Sequence, residues 1–404
     1  MSADNPDLVT VVGIGAGGWD EIGRTGRRAL TSARVVLGNT RQLDLLPPEV
    51  TACRMTWPSP LLAALPELLA AHADSGLAVL ASGDPMFHGI GATLVRLLGA
   101  DRVRVLPHPS SVALAAARLG WPLATTEVLS LVTADPAIVR RALNPGRQLL
   151  VLARDAGTPR LVAAVLTAAG YGSAVITVLE QLGGPGERVV AGMAGSWEQP
   201  PGDALNVIAI DCGVSGPSTA IVPGLADSAY ETDGQLTKRE VRAVTLAVLA
   251  PVPGELLWDV GAGSGSIGIE WMRSHPTCRA VAVESSADRG ATIAANATSL
   301  GVPGLTVVTG QAPDALADLP TPDAIFIGGG VTRDGVVADC LAALRPGGRL
   351  VANAVTVESE AVLAAAHGKL GGELIRLSVS RGSPVGGFTG WRTMMPVTIW
   401  SVTR

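Results

Sequence analysis

A glycine-rich loop in the second half of the chain has the residue types of a nucleoside-binding site. The segment DVGAGSGSIGIE places Gly261, Gly263 and Gly265 between an apolar strand-like run and the start of a helical pattern. Glycines at such a turn let a ligand approach the backbone, and the helix N-terminus favours negative charge. The next apolar run ends on Glu284, about 20 residues further on, where a carboxylate can accept hydrogen bonds from a ribose diol. The spacing predicts a site for a nucleoside-containing cofactor.

Two details of this segment favour S-adenosylmethionine over a dinucleotide. The first three glycines of the loop are spaced GxGxG and follow closely on Asp259, whereas a dinucleotide site uses GxGxxG with a pyrophosphate-binding third glycine. A third strand ends in TGQAPDAL, so that Gln311 and Ala312 fall where an adenine edge can be held. A nicotinamide cofactor also satisfies the Glu284 spacing, and a turn that binds no ligand is the remaining alternative.

An earlier glycine loop, VVGIGAGG at Val11 to Gly18, lies near the start of the chain. A dinucleotide site needs an acid at the end of the following strand, but the run RVVLGN ends in Gly38 and Asn39. Further on, LASGDPMFHGIG runs from a strand into a tight turn that carries Asp84. Open α/β sheets bind ligands at the carboxyl ends of their parallel strands. Asp84 is therefore a candidate binding residue, with a helix cap or a turn-stabilising residue as the alternative.

Both loops lie in series of alternating strand and helix patterns, which predict an α/β fold. The first series predicts a domain over residues 1–211. Residues 212–235, with many Gly, Pro and Ser, are predicted as a linker, and the second series predicts a domain over residues 236–404. The strand-like runs of the first domain are LVTVV, ARVVLG, LAVLAS, RVRVL, VLSLV, QLLVLA, AVITVL and LNVIAI; those of the second are ELLWDV, RAVAVE, LTVVTG, DAIFIGG, GRLVANAV, GELIRLSVS and RTMMPVTIWSV.

Local signals predict the beginning and the end of the second domain. Thr237 and Glu240 have the spacing of a capping box ahead of an apolar helix. The last two strand-like runs are joined by the glycine-rich segment 382–390, which we predict as a loop. Because no helical pattern separates these runs, we expect them to form an antiparallel pair.

Composition restricts the class of protein further. A chain of 404 residues is too long for one ordinary core. Its net charge of −5, spread without long runs, argues against a nucleic-acid surface. The uncharged stretch from Leu161 to Leu179 is predicted as a short helix followed by a buried strand, and not as a membrane span. The first residues are acidic where a signal peptide needs basic ones, so we expect a cytoplasmic protein.

The cysteines show no spacing that would indicate a disulfide framework or a zinc site. They lie far apart in the sequence, and we expect buried free thiols. No group of His, Cys, Asp or Glu in the sequence has the spacing of a metal site. The four cysteines are Cys53, Cys212, Cys278 and Cys340.

The motifs of the second domain resemble the class I methyltransferases, which have a seven-stranded Rossmann-like sheet. DVGAGSGSIGIE, AVAVESS, VTGQAP and LRPGGRLVANAV follow one another in the order of that family. The opening TDGQLTKREVRAVTLAVL is similar to small corrin-ring methyltransferases that methylate C15 and decarboxylate the C12 acetate of a cobalamin precursor. This resemblance covers residues 227–404. It implies that S-adenosylmethionine is bound by Thr237, Gly261, Ala262, Gly263, Ser264, Gly265, Glu284 and Ala312.

The motifs of the first domain resemble the tetrapyrrole methylases, class III enzymes in which S-adenosylmethionine lies in the cleft between two α/β lobes. The resemblance rests on VVGIGAGG, SGDPMFHGIG and PHPSSVALAAARLGWP and spans residues 8–211. It implies that Asp84, Phe87, Ser111 and Val112 contact the cofactor and that the first glycine loop faces the tetrapyrrole. The expected architecture is a two-lobed tetrapyrrole methylase domain followed by the Rossmann-like domain.

The combination of both domains resembles the bifunctional corrin-ring methyltransferases of cobalamin biosynthesis. It implies one S-adenosylmethionine per domain, methylation of C5 by the first domain, and methylation of C15 with decarboxylation by the second. Arginines that can bind the ring carboxylates include Arg239, Arg242, Arg381 and Arg392, and Arg381 and Arg392 are preferred because they flank segment 382–390. Glu240 is a candidate proton handler. For each of these residues a solvated surface charge is the alternative.

The expected partners are a small-molecule tetrapyrrole and further copies of the chain, with no nucleic acid, membrane or metal. Three alternative functions stay open. The same two methyltransferase domains can act on another tetrapyrrole or ring carbon, since function lies in the site and not in the fold. The chain can also be a nicotinamide oxidoreductase with two nucleotide domains, or a tetrapyrrole carrier without catalytic activity.

Overall fold

The computed structural model describes residues 8–72 and 76–404. The chain divides into two compact units. The first comprises residues 1–136 and 144–217, and the second comprises residues 137–143 and 218–404. Both units have an α/β fold. Within the described ranges, no helix is long and apolar enough to cross a membrane.

The first lobe of the first unit is a parallel sheet with helices packed against it. The strand order is β3-β2-β4-β1-β5, and every pair is parallel. The inner strands are almost entirely buried, as expected for a parallel sheet that is covered on both faces. The elements are β1 Val9–Ile14, α1 Arg24–Ser32, β2 Val35–Gly38, α2 Thr40–Asp44, β3 Cys53–Thr56, α3 Leu61–Ala71, β4 Leu77–Ser82, α4 Ile90–Leu98 and β5 Val103–Leu106.

The second lobe of this unit is a mixed sheet in the order β6-β7-β10-β8-β9. Strands β6 and β7 pair in parallel, while β10 is antiparallel to both of its neighbours, and β8 and β9 are also antiparallel. The elements are α5 Ser111–Leu119, β6 Glu127–Ser130, β7 Gln148–Leu152, α6 Thr158–Ala168, β8 Val175–Glu180, β9 Arg188–Met193 and β10 Asn206–Asp211.

The second unit is built on one sheet of seven strands in the order β13-β12-β11-β14-β15-β19-β16. Parallel pairing joins five neighbouring strands, from β13 to β15, and β19 runs antiparallel to both of its neighbours, β15 and β16. The elements are α7 Arg239–Leu249, β11 Leu256–Val260, α8 Ser266–Ser274, β12 Arg279–Glu284, α9 Ala287–Ser299, β13 Thr306–Thr309, β14 Ala324–Ile327, α10 Val336–Ala343, β15 Arg349–Ala354, α11 Val357–Leu370, β16 Glu373–Leu377, β17 Ser380–Val385, β18 Phe388–Thr393 and β19 Val397–Thr403.

Every strand-like run predicted from the sequence is a strand in the structure. The stretch from Leu161 to Leu179 contains the end of α6 and most of β8, which confirms the predicted helix and buried strand. Strands β3 and β9 were not predicted. Both lie at sheet edges and are mostly exposed, so their sequences lack the continuous apolar run of a buried strand.

Three local predictions for the chain were wrong. Segment 382–390 is not a loop, because most of it forms the antiparallel hairpin β17–β18 between β16 and β19. Thr237 does not cap α7, since the N-cap is Lys238 without a side-chain bond. The Glu240 carboxylate instead binds Arg381, a charge-assisted bond that outweighs a capping contact. Cys53, expected to be buried, is exposed on the edge strand β3, whereas the other three cysteines are buried free thiols.

A completely buried ion pair crosses the core of the second unit. Arg242 in α7 and Glu270 in α8 are 2.5 Å apart, with side chains 0% and 2% exposed. The other guanidinium nitrogens of Arg242 donate to the carbonyls of Leu225 and Thr237, and the Tyr230 hydroxyl donates to Glu270. Arg242 was a candidate for binding a substrate carboxylate, but its burial and its partners assign it to the core instead.

Removal of Arg242 should destabilise the second unit strongly. Replacement of Arg242 with Met leaves Glu270 buried without a counter-ion, and we expect a loss of about 3–5 kcal/mol in the free energy of unfolding. Urea unfolding of the full chain measures this change. The additional change Glu270→Gln should recover part of the loss, because it removes the unpaired charge.

Arg376→Met is the matched control for this experiment. Arg376 is 60% exposed and pairs with Glu360 at the surface, so its loss should cost no more than about 1 kcal/mol. Equal effects of the Arg242 and Arg376 replacements would show that the buried pair contributes no more than a surface pair.

Candidate active sites

The glycine loop between β11 and α8 packs against the loop that follows β14. Its three glycines have positive φ, 68° for Gly261, 59° for Gly263 and 75° for Gly265, a region that residues with a side chain rarely adopt. A Cβ at Gly261 would lie 2.6 Å from the backbone nitrogen of Gly329. The two loops therefore meet backbone to backbone at the carboxyl ends of the central strands, where open α/β sheets bind ligands.

Glu284 ends β12 with a carboxylate that borders this loop. The residue is only 4% exposed. One carboxylate oxygen accepts a hydrogen bond from the backbone nitrogen of Gly263 at 2.9 Å, and the other accepts from that of Ser286 at 3.1 Å. The structure thus brings the predicted ribose-binding acid and the predicted glycine loop into direct contact.

The loop after β13 lies beside the same carboxyl end of the sheet. The backbone nitrogen of Gly310 donates to the Glu284 carbonyl at 2.9 Å. Ala312, two residues further on, is 9% exposed and packs in the apolar cluster that contains Leu316 and Ile327. The predicted adenine-binding segment therefore follows a strand that is bonded to the Glu284 strand.

The segment that precedes α7 is bonded to the glycine loop. The Ser264 hydroxyl donates to the Gln235 carbonyl at 2.8 Å, and the Asn296 amide donates to the carbonyls of Ser264 and Glu231 at 3.0 and 2.9 Å. Thr237, which is half-buried, lies two residues after Gln235. These bonds explain how a threonine that precedes α7 comes close to a loop that follows β11.

Asp259 lies in β11 two residues before Gly261 and is 1% exposed. Its Oδ2 accepts a hydrogen bond from the backbone nitrogen of Gly268 at 2.8 Å. Its Oδ1 has no hydrogen-bond partner in the described part of the chain. Burial, with a further contribution from the negative charge of Glu284, raises the pKa of Asp259 to about 7 despite the Gly268 bond.

Two of the three residues proposed for decarboxylation, Arg381 and Glu240, form an ion pair. The Arg381 guanidinium, on β17, is 2.5 Å from the Glu240 carboxylate and 3.1 Å from that of Asp227. Its hydrogen bond to Glu240 lowers the pKa of Glu240. Arg392 pairs directly opposite Arg381 in the hairpin, is exposed, and forms no ion pair with any residue of the described ranges.

Three loops of the first unit meet at Gly13. A Cβ at this residue would collide with the carbonyl of Gly83 and would lie 2.6 Å from the backbone nitrogen of His108. A Cβ at Gly83 would lie 3.2 Å from the Cα of Ser110. The first glycine loop, the Asp84 turn and the serine loop before α5 therefore pack together with no room for side chains between them.

A cavity of about 490 Å³ opens beside these loops and is lined by residues of both lobes. Asp84, Phe87 and Ser111 lie in its wall. One oxygen of the Asp84 carboxylate accepts a hydrogen bond from the backbone of Met86 at 2.9 Å, so Asp84 also stabilises its own turn. Val112 is not in the cavity wall; its side chain is 2% exposed and packs in the core cluster of the second lobe that also contains the lining residues Leu179 and Val207.

The cavity wall also contains Arg41, Asn206 and His88, the histidine of the SGDPMFHGIG motif. Arg41 follows β2, His88 has a φ of 54° that is unusual for a residue with a side chain, and Asn206 begins β10. The Asn206 side-chain oxygen is buried without a hydrogen-bond partner in the described part of the chain. An arginine just after a predicted strand was a usable signal for Arg41, whereas no local pattern identifies Asn206.

Gly261→Ala should disable the site of the second unit. The new Cβ would push the loop away from Gly329, and a displacement of about 1 Å in a methyl-transfer site can cost on the order of 100-fold in rate. Gly254→Ala is the matched control, because Gly254 also has positive φ, 91°, but no atom lies within 4 Å of its Cβ position. Calorimetry with S-adenosylhomocysteine should show the loss of the second unit's site only in Gly261→Ala, with binding by the first unit retained. Equal loss in both variants would mean that backbone strain causes the effect.

Asp259 should make the stability of the second unit depend on pH. The folded-state pKa of about 7 lies above the unfolded value of 3.8, so the folded state retains a proton that the unfolded state has released. The free energy of unfolding should therefore fall as pH rises from about 4 to about 7, by up to about 4 kcal/mol. Urea unfolding of wild type and Asp259→Asn tests this, because the variant should lack this part of the pH dependence. Parallel pH profiles of the two proteins would contradict the assignment.

Comparison with known proteins assigns a different family model to each half of the chain. The model described as "Tetrapyrrole (Corrin/Porphyrin) Methylases" matches residues 8–197. The model described as "Precorrin methyltransferase domain" matches residues 228–404. The two candidate sites therefore belong to two different methyltransferase domains.

Similar proteins include one of full length and two of about half that length. A protein of Sinorhizobium sp, named precorrin-6Y C(5,15)-methyltransferase (decarboxylating), is 49% identical over 100% of this chain and 99% of its own length. A Pyrobaculum calidifontis protein, named probable cobalt-precorrin-6B C(15)-methyltransferase (decarboxylating), is 34% identical over 44% of this chain and 94% of its own. A Salmonella typhimurium protein, named cobalt-precorrin-7 C(5)-methyltransferase, is 31% identical over 45% of this chain and 89% of its own. With near-complete coverage at 49% identity, the chain belongs to the precorrin-6Y C(5,15)-methyltransferase (decarboxylating) family.

Proposed function

We propose that this chain is a bifunctional, S-adenosylmethionine-dependent C-methyltransferase of cobalamin biosynthesis. It methylates C5 and C15 of the corrin precursor and removes the C12 acetate carboxylate as carbon dioxide, so that precorrin-6B becomes precorrin-8X. The observation that carries this proposal is the presence of two methyltransferase domains, each with its own loop-lined site, in a chain that aligns over its whole length with a relative named for both methylations.

We assign C5 to the first domain and C15 with decarboxylation to the second. Relatives of about half this length are named for the C5 reaction alone and for the C15 reaction with decarboxylation alone, which supports two separable activities. The opening of the second domain, from Thr232 to Leu249, also resembles the C15 enzymes. Residues 1–211, 212–235 and 236–404 are the proposed first domain, linker and second domain.

Each domain is proposed to bind one S-adenosylmethionine. In the second domain the glycine loop packs backbone to backbone against the segment after β14 at the carboxyl end of the sheet, and the buried Glu284 carboxylate beside it fits a ribose diol. Thr237 belongs to the segment that is bonded to this loop, and Ala312 follows the strand that is bonded to the Glu284 strand. In the first domain the cavity bordered by Asp84, Phe87 and Ser111 has the volume of a small-molecule site.

In these reactions the main task of the protein is to position the reactants. S-adenosylmethionine supplies an electrophilic methyl group, and at a ring carbon that bears hydrogen the new carbon–carbon bond replaces a carbon–hydrogen bond, with release of a proton. Decarboxylation breaks the bond to the acetate carboxylate, and a proton takes the place of carbon dioxide. The glycine loops hold the reactants close enough for in-line transfer, and the pockets exclude water.

Arg392 is the proposed contact for the acetate carboxylate, and Arg381 and Glu240 are proposed to position it. Arg381 is already engaged by the two carboxylates of Glu240 and Asp227, so it holds the hairpin against the start of α7. Arg392 lies opposite Arg381 on the hairpin, and its guanidinium, which has no ion-pair partner in residues 8–72 and 76–404, has the planar geometry that fits a carboxylate. The lowered pKa of Glu240 keeps it ionised, which favours its role as a partner of Arg381 over that of a proton donor.

The decisive experiment records the mass of the corrinoid formed from enzymatically prepared precorrin-6B and S-adenosylmethionine. Two methyl groups gained and one carbon dioxide lost would support the bifunctional assignment. One methyl group or none would mean that a domain is inactive or that the chain acts on another tetrapyrrole.

Single replacements should separate the two activities. Glu284→Gln weakens the hydrogen bonds to the ribose in the second domain, and we expect a 10–100-fold lower affinity there, equivalent to about 1.5–3 kcal/mol. C15 methylation and decarboxylation should fall while C5 methylation of a C15-methylated substrate persists. Asp84→Asn in the first domain should show the opposite pattern, and a variant that lowers both methylations equally would contradict the assignment of one cofactor site per domain.

A further inference from the structure

Arg41 places a positive charge in the wall of the first-domain cavity. It lies in α2, which begins two residues after the end of β2, at the carboxyl end of the first sheet. The cavity wall contains no other arginine and no lysine among the described residues. The wall is otherwise largely apolar, with Trp57, Leu61, Leu80 and Leu114 among its members.

The Arg41 guanidinium lacks an anionic partner within the described part of the chain. Its single hydrogen bond goes from Nη2 to the Ser82 hydroxyl at 3.3 Å, and this oxygen already accepts from the Gln42 side chain at 3.0 Å. Asp203 acts on Arg41 only as a more distant charge, and burial lowers the pKa of Arg41. A guanidinium has five N–H donors in a planar fork, so most of its hydrogen-bonding capacity is unused.

Three other arginines of this unit are bonded to carboxylates or to backbone carbonyls. Arg188 lies 2.7 Å from Glu180, and Arg118 lies 2.5 Å from Glu187. Arg54 donates to three backbone carbonyls next to α2. Half-buried charges are normally paired in this way because their desolvation is costly. Among the described residues Arg41 has no such partner, and it is the arginine that lines the cavity.

We propose that Arg41 binds a carboxylate of the ligand that occupies this cavity and so sets the position of that ligand for C5 methylation. The inference rests on the proposed function, since it takes the cavity to be the C5 site. A carboxylate fits the planar fork with two parallel hydrogen bonds, which an amide or a hydroxyl cannot match. Two ligands of the reaction carry carboxylates, namely the tetrapyrrole side chains and the methionine end of S-adenosylmethionine.

The test is the replacement Arg41→Met, which keeps the apolar stem and removes the fork. Loss of a charge-assisted bidentate contact should raise one Michaelis constant of C5 methylation about 10–100-fold. If the tetrapyrrole supplies the carboxylate, the KM for the corrin substrate rises and the KM for S-adenosylmethionine is unchanged. If S-adenosylmethionine supplies it, its KM and the inhibition constant of S-adenosylhomocysteine rise, while that of 5′-methylthioadenosine, which lacks the carboxylate, stays the same. Either pattern supports the proposal.

Arg41→Lys and Arg28→Met complete the design. Lysine keeps the charge without the fork and should restore part of the affinity. Arg28 lies exposed in α1, outside the cavity wall, so its replacement should leave both constants unchanged. Because C15 methylation reports only on the second domain, the kcat of C5 methylation at saturating ligand concentrations reports whether the first domain is folded.

The proposal is overturned if Arg41→Met leaves both Michaelis constants at the wild-type values. It is also overturned if S-adenosylhomocysteine and 5′-methylthioadenosine lose affinity equally, because that result indicates a packing role. Failure of the wild-type chain to methylate C5 at all would refute the proposed function instead.

Discussion

The buried pair of Arg242 and Glu270 ties the start of the second unit to the helix that follows the glycine loop. Arg242 donates hydrogen bonds to the backbone carbonyls of Leu225 and Thr237, and Glu270 accepts one from the backbone nitrogen of Leu225. Leu225 and Thr237 both lie in the segment before α7, which is also bonded to the glycine loop. Asp227, 3.6 Å from Arg242, also binds Arg381 of the hairpin. Two charges without this pairing would be costly to bury, so the same contacts that stabilise the core determine where the site segments lie.

Both sites depend on close approach of backbone to backbone. At Gly13 the three loops of the first unit meet without side chains between them, and at Gly261 the same occurs in the second unit. This agrees with a methyl transfer that needs alignment and exclusion of water more than proton transfer. The charged residues of the sites, such as Glu284 and Arg41, are those that we propose to orient ligands.

The reliability of the sequence-based predictions followed the burial of each segment. Strands such as β1, β4 and β11 are buried on both faces, so their apolar runs were visible and the predictions were confirmed. Edge strands β3 and β9 expose most of their residues and have no such pattern. Hairpin β17–β18 was predicted as a loop because glycines and exposed polar residues dominate it. Local periodicity reports burial, and these elements are not buried.

The amino-acid sequence by itself determined the two α/β halves, the two glycine loops, and the family resemblances with their candidate residues, because those properties follow from short segments. Tertiary structure alone decided which residues meet across long separations in the chain. Glu240 and Arg381 form a salt bridge although 141 residues separate them, and Arg242, which looked like a substrate contact, is in the core. Arg41 and Asn206 share one cavity although they lie in different lobes. Such contacts arise when a sheet brings its strand ends together, and no local pattern records them.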